Sequence, residues 1–575
     1  MRFGKLEINP AKNPAILDTA TWAPGEAWRA VQLIPEADWQ SLGQSLANNA
    51  EARLGQSLTC YPPSYAHFEG ADYCLAQLAD GQQVFLSIGV PRSDLVLGSP
   101  VGVKLLPSGG SLALHPTEAG VIDRYFRHIK PEKAPQAPGA VPRLGIGTRM
   151  TTAVWPGIWR AMADGHFAAV AIQNSVRELN LLENLLAACP AEQNIAFNFG
   201  TIETGYVGST YEGLWVAGVL DALKRPETLR YGADADHIQV KRGADGLARA
   251  KRLAEAARYY SFFTLDVSDV LNYGALAEAS AATAEGYFDD IGDPDQAKAV
   301  RAHHRQLRRI GEFDYRPGEA ELGRLVGKYW KALDVVEELC QHIHRLKDGV
   351  GFDLELSIDE HPPEVPTFDC LTSETELVFL LLEVQRRGIP LTHVAPNLGI
   401  EKGNDYRCPD GLTGLETRTR SLGRLTQEFG VMLDVHSGDD LGPATRQAIQ
   451  RATQGRVHFK ISPCLQLLFA EVLADHHPEL FRRWWQDALA YAQREAAAGS
   501  TFAADCIEQS REAGNLAPSP HDAVFHHYSF AFVGRRNSAG QFLVREEFYD
   551  LSPRFYRAYQ DHVASLLTGL ATELL

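Results

Sequence analysis

The chain has few cysteines, and their spacing excludes two common kinds of site. Eight cysteines are scattered over 575 residues, and none of them belongs to a C-x-x-C pair. Because zinc ribbons and thioredoxin-like dithiols are built on such pairs, the sequence predicts neither. Sparse, irregularly placed cysteines are typical of a protein kept in a reducing compartment, so we expect a cytoplasmic location.

Long apolar runs and an excess of basic residues are also missing. No stretch approaches the roughly 18 consecutive apolar residues of a membrane-spanning helix, and the first residues, MRFGKLEINP, lack the apolar centre of a secretory signal. Lys and Arg number 55 against 72 Asp and Glu, which gives a formal net charge of −17. Since an acidic surface repels phosphate groups, we expect neither nucleic acid nor membrane among the partners.

A proline-rich stretch separates two parts of the chain that differ in their pattern of apolar runs and turn residues. Residues 129–143, IKPEKAPQAPGAVPR, contain four prolines and cannot continue a helix. The residues before it consist of short apolar runs separated by turn signals. We therefore expect residues 1–140 to form an N-terminal domain of α+β or β-rich type.

After this stretch, short apolar runs alternate with long helix-like segments. The eight strand candidates are 143–149, 167–174, 230–237, 260–269, 352–360, 391–397, 431–439 and 456–462. Most of them are continuous apolar runs, as in parallel strands that are covered on both faces. Eight strands alternating with helices predict an α/β fold, a (β/α)8 TIM-like barrel. A further apolar run, 194–200, is a ninth strand candidate, so the number of strands is open by one.

The remaining segments are predicted to elaborate this barrel. The barrel is expected to span residues 141–465, with a helical insertion near 278–348, where the sequence is long and charged. Residues 466–575 are mainly helix-like, so we expect a helical C-terminal extension packed on the barrel. The length of the chain is thus accounted for by one elaborated barrel with an N-terminal addition.

Polar and ionisable residues follow the predicted strands, at the point where each strand ends. They are Gln173, Ser175, Glu178, Asp234, Asp236, His237, Asp266, Asp269, Asp359, Glu360, His393, Asn397, Asp434, His436, Asp439, His458 and Lys460. In a TIM barrel the loops after all eight strands converge on one rim, and active sites form there. The sequence therefore predicts an acidic active site at this rim.

The residue types at the rim are those that hold a divalent metal ion. Histidine and carboxylate without thiols suit Zn²⁺, Mn²⁺, Ni²⁺ or Co²⁺. Such an ion would bind oxygens of a polyol or hydroxyketone and stabilise a developing enolate. Carboxylates such as Glu178 and Asp266 would then move protons, and Lys460 and Arg149 would balance a carboxylate on the substrate.

Several of these residues also have a structural interpretation. Asp269 and Asp440 are good candidates for helix N-caps. His393 and His458 lie within apolar strand patterns, so each is either a core histidine or a site residue. The histidine pairs interpreted as surface residues are 303–304, 476–477 and 526–527. RLGIGTR lacks the third glycine of a dinucleotide-binding loop, so we predict no such cofactor.

Seven short blocks, in order, resemble the tagaturonate epimerase family. They are QNSVRE, YGADADH, FFTLDVSD, LELSIDE, EKGNDY, DVHSGDD and VHFK, and the resemblance extends over about residues 143–490. It implies a metal-dependent barrel enzyme, an isomerase that interconverts D-tagaturonate and D-fructuronate in hexuronate catabolism. Related members act on the plain ketohexoses, so the implied partner is a small sugar acid or ketose.

The resemblance also implies roles for individual residues. The implied metal ligands are His237, Glu360 and His436, with Asp236 as a fourth candidate. The implied acid–base residues are Glu178, and Asp266 or Asp359 as its partner. The implied contacts to hydroxyls or to the carboxylate are Gln173, Ser175, Asp439 and Lys460, with Arg149 on the first strand.

Two mechanisms and two other functions stay open at this point. The inverted carbon lies β to the ketone, so it can be inverted by retro-aldol cleavage and re-addition or by stepwise proton transfer. A metal-dependent sugar isomerase or a class II aldolase would use the same ligands on the same barrel. A third alternative is a carbohydrate-binding protein without catalysis. The sequence makes no prediction of the oligomeric state.

Overall fold

The computed structural model describes most of the chain and contains a closed barrel. The described residues are 2–9, 12–16, 24–48, 52–54, 58–89, 96–107, 109–196, 200–203, 205, 208–361 and 365–575. Eight parallel strands among them, β1 to β8, form the barrel: Arg143–Ile146, Ala168–Gln173, Tyr231–Gln239, Phe262–Asp266, Asp353–Ser357, His393–Ala395, Met432–Val435 and His458–Ile461. The eight predicted strands and the fold class are confirmed.

The barrel closes between β8 and β1. Arg143 pairs with Ala168 on β2 and with His458 on β8, so β1 is hydrogen-bonded on both sides. The ninth candidate, 194–200, includes residues 197–199, which lie outside the described residues, and its described part is not in this sheet. Gln193–Ala196 instead pairs with Gly200–Glu203 in an antiparallel hairpin.

Strand β5 alternates apolar and polar residues, and the polar ones point inward. On β5, Leu354 and Leu356 alternate with Asp353, Glu355 and Ser357, and all five are buried. Successive side chains of a strand point to opposite faces. Asp353 on β5 and Arg143 on β1 form an ion pair of 2.7 Å across the interior, which identifies the polar face as the inner one. The apolar face therefore packs against the outer helices.

The outer helices occupy the connections between the strands. They are Trp155–Gly165, Leu181–Ala187, Tyr211–Leu223, Gly246–Ala256, Glu319–Lys347, Glu374–Arg386, Gly411–Glu428 and Pro443–Thr453. Helix Tyr273–Leu276 follows β4, and the predicted insertion near 278–348 contains the helices Ala281–Gly286, Pro294–His304 and Glu319–Lys347 and the hairpin of Arg308–Ile310 with Phe313–Tyr315. A short β-hairpin thus lies within the segment that the sequence predicts as helical.

The residues after β8 are helical, and one of these helices returns to the barrel. The helices are Pro463–His476, Pro478–Ala497, Thr501–Gly514, Ala523–Tyr528, Arg545–Phe548 and Pro553–Leu574. Helix Pro553–Leu574 packs on helix Trp155–Gly165, where a Cβ added to Gly157 would meet the Gln560 carbonyl oxygen at 2.8 Å. It also contacts helix Pro443–Thr453, so it covers the seam between β8 and β1.

The N-terminal part is an α+β unit packed beside the barrel. Its antiparallel strands, in spatial order, are Ala52–Leu54, Leu58–Cys60, Ala71–Leu78, Gln83–Gly89, Ser111–Pro116 and Gly102–Leu105, with Ala66–Phe68 beside Ala71–Leu78. Its helices are Pro24–Gln32, Glu36–Ala47 and Ala119–His128, and a hairpin joins Arg2–Phe3 to Leu6–Glu7. Within the described part of the chain, every helix is too short or too polar to cross a membrane.

One histidine of the predicted surface pairs is a core residue. His304 is fully buried, so the surface interpretation is wrong for this residue. Its Nδ1 lies 2.7 Å from the Tyr315 hydroxyl, and its Nε2 lies 2.9 Å from Glu383 Oε1. Arg386 donates to the other oxygen of Glu383 at 2.6 Å. The hairpin of the insertion is thereby tied to the outer helix that carries Glu383.

This network is predicted to stabilise the protein at neutral pH and to lose this contribution at low pH. Burial alone would raise the pKa of Glu383, but the hydrogen bonds from His304 and Arg386 lower it to about 2. A carboxylate whose pKa falls on folding stabilises the protein above its unfolded pKa, and this contribution is lost as the pH falls through the folded value. Replacing Glu383 by Gln should therefore cost about 3 kcal/mol at pH 7 and progressively less below about pH 4.5.

Urea-induced unfolding of both proteins between pH 7 and pH 3 measures this difference. Glu338→Gln is the matched control, because Glu338 forms an exposed pair with Lys251 on the neighbouring outer helix. If the wild-type and Glu383→Gln curves stay parallel over this range, the buried carboxylate does not contribute as described.

Candidate active site

Three predicted rim residues form a compact group at the ends of neighbouring strands. His237 lies near the end of β3, Asp266 ends β4, and Glu360 follows β5 by three residues. One ligand atom of each lies within 4.8 Å of the others. His237 Nδ1 is 3.4 Å from Asp266 Oδ2, and this contact outweighs burial to raise the pKa of His237 to about 9. One imidazole and two carboxylates thus converge on one point of the rim.

His436, a predicted metal ligand, lies beside this group, and each of its ring nitrogens is close to a carboxylate oxygen. Its ring is 4.8 Å from that of His237, edge to face. Its Nε2 lies 2.7 Å from Glu355 Oε1, and its Nδ1 lies 2.9 Å from Asp359 Oδ2. Burial alone would lower the pKa of His436, but these two carboxylates raise it well above the usual value. His436 is therefore held as an imidazolium between two carboxylates.

Asp236, the fourth candidate ligand, points to a different neighbour. Its backbone is left-handed, with φ of 58°, and its N–H donates to Asp234 Oδ1 at 2.8 Å. Its Oδ1 accepts a hydrogen bond of 2.7 Å from the Gln173 side-chain amide. Asp236 and Gln173 are thus brought together, next to the group of His237 but outside it.

Lys460 lies beneath the rim, inside the barrel. Its Nζ is 2.5 Å from Glu355 Oε2 and 2.9 Å from the Thr264 hydroxyl. It also lies 3.6 Å from Asp234 and 3.7 Å from Asp434. The Lys460 side chain is only 6% exposed, so it neutralises buried carboxylates rather than facing a ligand from solvent.

The barrel interior below Lys460 continues as a polar core. His458 is fully buried, with Nδ1 2.8 Å from Asp434 Oδ2, and His393 Nε2 lies 3.0 Å from the Arg143 guanidinium. Both histidines are buried in the barrel interior, and His458 also forms a second group with Glu355 and Asp434, whose possible ligand atoms lie within 4.8 Å of one another. Burial raises the pKa of Asp234 to about 7, despite the nearby Lys460 ammonium.

Other predicted site residues have side chains that accept hydrogen bonds from backbone N–H groups at the rim. Glu178 is 1% exposed and accepts from the Gly208 N–H at 3.2 Å. Asp439 accepts from the N–H groups of Ser462 and Cys464 at 3.1 and 2.9 Å, at the start of helix Pro463–His476. Ser175 accepts from the Arg177 N–H, and Arg149 is half-buried after β1. The carboxylate of Asp439 thus caps a helix.

Three further residues border the group and were missed by sequence reasoning. The Tyr273 hydroxyl donates to the Glu360 carbonyl at 2.9 Å, and Tyr273 also lines an open cavity of about 630 Å³. Lys402 Nζ lies 3.6 Å from Glu360 Oε1. Asp353 and Glu355 are two positions apart in the predicted strand, so their side chains lie on the same face. This spacing of polar residues in the sequence indicates that Glu355 points into the barrel.

Comparisons with known proteins agree with the barrel fold. The sequence model of the tagaturonate epimerase family, UxaE, matches residues 110–568. The native crystal structure of fructuronate-tagaturonate epimerase UxaE from Cohnella laeviribosi is 22% identical, with a TM-score of 0.62, and the match covers 93% of this chain and 99% of that one.

A complex of the same Cohnella laeviribosi enzyme with two glycerol molecules is 21% identical, with the same TM-score, and the match covers 92% of this chain and 99% of that one. The comparison with curated proteins found no match. These structures share the fold of the chain, and the family model covers most of its length. The chain belongs to the tagaturonate epimerase family and is an enzyme of the isomerase class.

Proposed function

We propose that the enzyme interconverts D-tagaturonate and D-fructuronate, with a divalent metal ion held by His237, Asp266 and Glu360. The observation that carries this proposal is the convergence of these three donors within 4.8 Å at the rim of a barrel of this family. This set differs from the one implied by the resemblance, because Asp266 takes the place of His436 as the third donor, and Asp236, the fourth candidate, is not part of the group.

The donor chemistry fits a catalytic metal. One imidazole and two carboxylates, with no thiolate, suit Zn²⁺, Mn²⁺, Ni²⁺ or Co²⁺. Three protein donors leave coordination positions open, as in catalytic rather than structural sites. When bound, such an ion acts as a Lewis acid for substrate oxygens on which negative charge develops.

Asp359 is the base that this geometry favours. It accepts from the Ser357 hydroxyl at 2.7 Å and lies 2.9 Å from His436 Nδ1. Burial alone would raise the pKa of Asp359, but the imidazolium of His436 holds it below the usual value, so the carboxylate is ionised. His436, fixed from the other side by Glu355, orients Asp359 and balances its charge.

The chemistry of the substrate favours retro-aldol inversion. The inverted carbon, C4 of the ketose, is β to the C2 ketone, so its own proton is not acidic. Asp359 would take the proton of the C4 hydroxyl, the C3–C4 bond would break, and its electron pair would pass to the carbonyl as an enolate. The C4 aldehyde would rotate and be attacked on its other face, and Asp359 would return the proton.

The experiment that tests this proposal follows the reaction in D₂O. The purified enzyme, loaded in turn with each of the four metals, is incubated with D-tagaturonate, and the products are identified by NMR. We expect D-fructuronate without deuterium at C4. Deuterium at C4 would show that the carbon is inverted by proton transfer and not by retro-aldol cleavage. Free three-carbon fragments would indicate an aldolase. The absence of product with all four metals would contradict the proposed function.

A further inference from the structure

One of the three proposed metal ligands lies outside the barrel sheet. His237 is part of β3 and Asp266 ends β4, and these two strands pair with each other over both residues. Glu360 follows β5 by three residues, and the residue pairs between β5 and β6 end at Ser357. Strand pairing therefore fixes the backbone of His237 and Asp266 but not that of Glu360.

A side chain from another segment holds the Glu360 backbone. The Tyr273 hydroxyl donates to the Glu360 carbonyl oxygen at 2.9 Å. Tyr273 is half-buried and begins the short helix Tyr273–Leu276 that follows β4, at the edge of the open cavity described above. This hydrogen bond thus ties Glu360 to the connection after β4, at a point that strand pairing does not reach.

The Tyr273 ring is itself held by a buried ion pair. The Lys328 ammonium lies 4.9 Å from the centre of the Tyr273 ring, an arrangement in which cation and ring attract each other. Lys328 Nζ lies 2.6 Å from Glu376 Oε1, and both side chains are buried. The Lys328 carbonyl also accepts from the Asn272 N–H at 3.2 Å. Helix Glu319–Lys347 of the insertion thereby supports the position of Tyr273.

The position of the Glu360 backbone matters because the side chain is only partly held by packing. The Glu360 side chain is 40% exposed, whereas Asp266 is buried. A ligand that is already in place when the ion arrives loses less conformational freedom on binding. Replacing residues that orient metal ligands by hydrogen bonds typically lowers metal affinity by about 10- to 100-fold. A fixed backbone at Glu360 should therefore strengthen metal binding.

We propose that Tyr273 is a positioning residue of the metal site and holds the Glu360 backbone so that its carboxylate faces the other two donors. This inference rests on the proposed function, in which His237, Asp266 and Glu360 bind the ion. Tyr273 acts through Glu360, because its hydroxyl donates to the backbone of that residue. The insertion after β4 then contributes to the metal site through Lys328, although none of its residues belongs to the group of donors.

The test compares the metal affinity of two tyrosine variants. Tyr273→Phe keeps the ring beside Lys328 and removes only the hydroxyl, so the variant should fold. Calorimetric titration of the metal-free protein with Mn²⁺ should show about 10-fold weaker binding than in the wild type. Tyr329→Phe is the matched control, because the Tyr329 hydroxyl donates to Glu376 at 2.9 Å in the same buried network. This control loses a hydrogen bond of the same kind and should keep the Mn²⁺ affinity of the wild type.

The absorption spectrum of the Co²⁺-loaded protein is a second readout, because the visible bands of Co²⁺ depend on the number and arrangement of its ligands. We expect these bands to change in Tyr273→Phe and to match the wild type in Tyr329→Phe. Wild-type Mn²⁺ affinity and spectrum in Tyr273→Phe, or an equal loss of affinity in both variants, would overturn the role of Tyr273. If the wild type binds Mn²⁺ but does not convert D-tagaturonate, the proposed function fails while the two variants still decide this inference. A wild-type protein that binds neither ion would contradict both.

Discussion

Replacing His237 by alanine is expected to abolish metal binding and to lower kcat/KM at least about 1000-fold. His237 supplies the imidazole of the group, and the two remaining carboxylates form a much weaker site for Zn²⁺, Ni²⁺ or Co²⁺. Loss of Lewis-acid stabilisation raises the activation free energy by several kcal/mol, and an increase of about 4 kcal/mol lowers the rate by a factor of about 1000. Metal content by mass spectrometry and steady-state kinetics measure the two effects.

Two further histidine variants define what the His237 result means. His67→Ala is the control, because His67 is an exposed residue of the N-terminal sheet that pairs with Asp72. His436→Asn is expected to keep the metal ion and lose activity, since His436 contacts Glu355 and Asp359 rather than joining the group. Full metal content and activity in His237→Ala would contradict the assignment, and metal loss in His436→Asn would return His436 to the ligand set.

Replacing Lys460 by methionine is expected to destabilise the protein by about 3–5 kcal/mol. The change removes the ammonium that Glu355, Asp234 and Asp434 share inside the barrel. Breaking a buried charge pair by removing one partner has a cost of this size, because the remaining charge is left without compensation. Urea-induced unfolding at pH 7 measures the difference in free energy of unfolding.

The environment of Lys460 also supplies the controls for this experiment. Lys251→Met should change stability by less than about 1 kcal/mol, because Lys251 is part of a surface pair with Glu338. Adding Glu355→Gln to Lys460→Met should recover part of the loss, since it removes the carboxylate nearest to the missing charge. A change of less than about 1 kcal/mol in Lys460→Met would show that the buried ammonium is dispensable.

The strands and the rim could be predicted because they leave a local pattern. Each barrel strand after the first is a short run that follows a helical segment and is followed by polar residues. His237 lies two residues before the end of β3, Asp266 ends β4 and Glu360 follows β5 by three residues, so their place near the rim follows from chain order. Their closeness follows as well, because these strands are neighbours in the barrel.

The division of roles among the rim residues could not be predicted, because it depends on distant partners. Glu355 and Lys460 are 105 positions apart, and the residues around them in the sequence give no indication that the two side chains are in contact. Lys460 lies within β8 rather than after it, which places it below the rim. Asp439 resembles the other rim carboxylates in sequence, but the helix that begins after Ser462 uses it as an acceptor for backbone N–H groups.

Helix Pro553–Leu574 has a consequence for how the protein folds during synthesis. Its contact between the Arg160 guanidinium and the Gln560 carbonyl joins residues 400 positions apart. A ribosome that adds roughly 5–20 residues per second needs several seconds more to reach this helix after β8 is complete. During that time the apolar seam between β8 and β1 is open to chaperones and to other nascent chains. Variants that weaken this helix should therefore reduce the yield of folded protein in cells before they reduce the activity of the molecules that do fold.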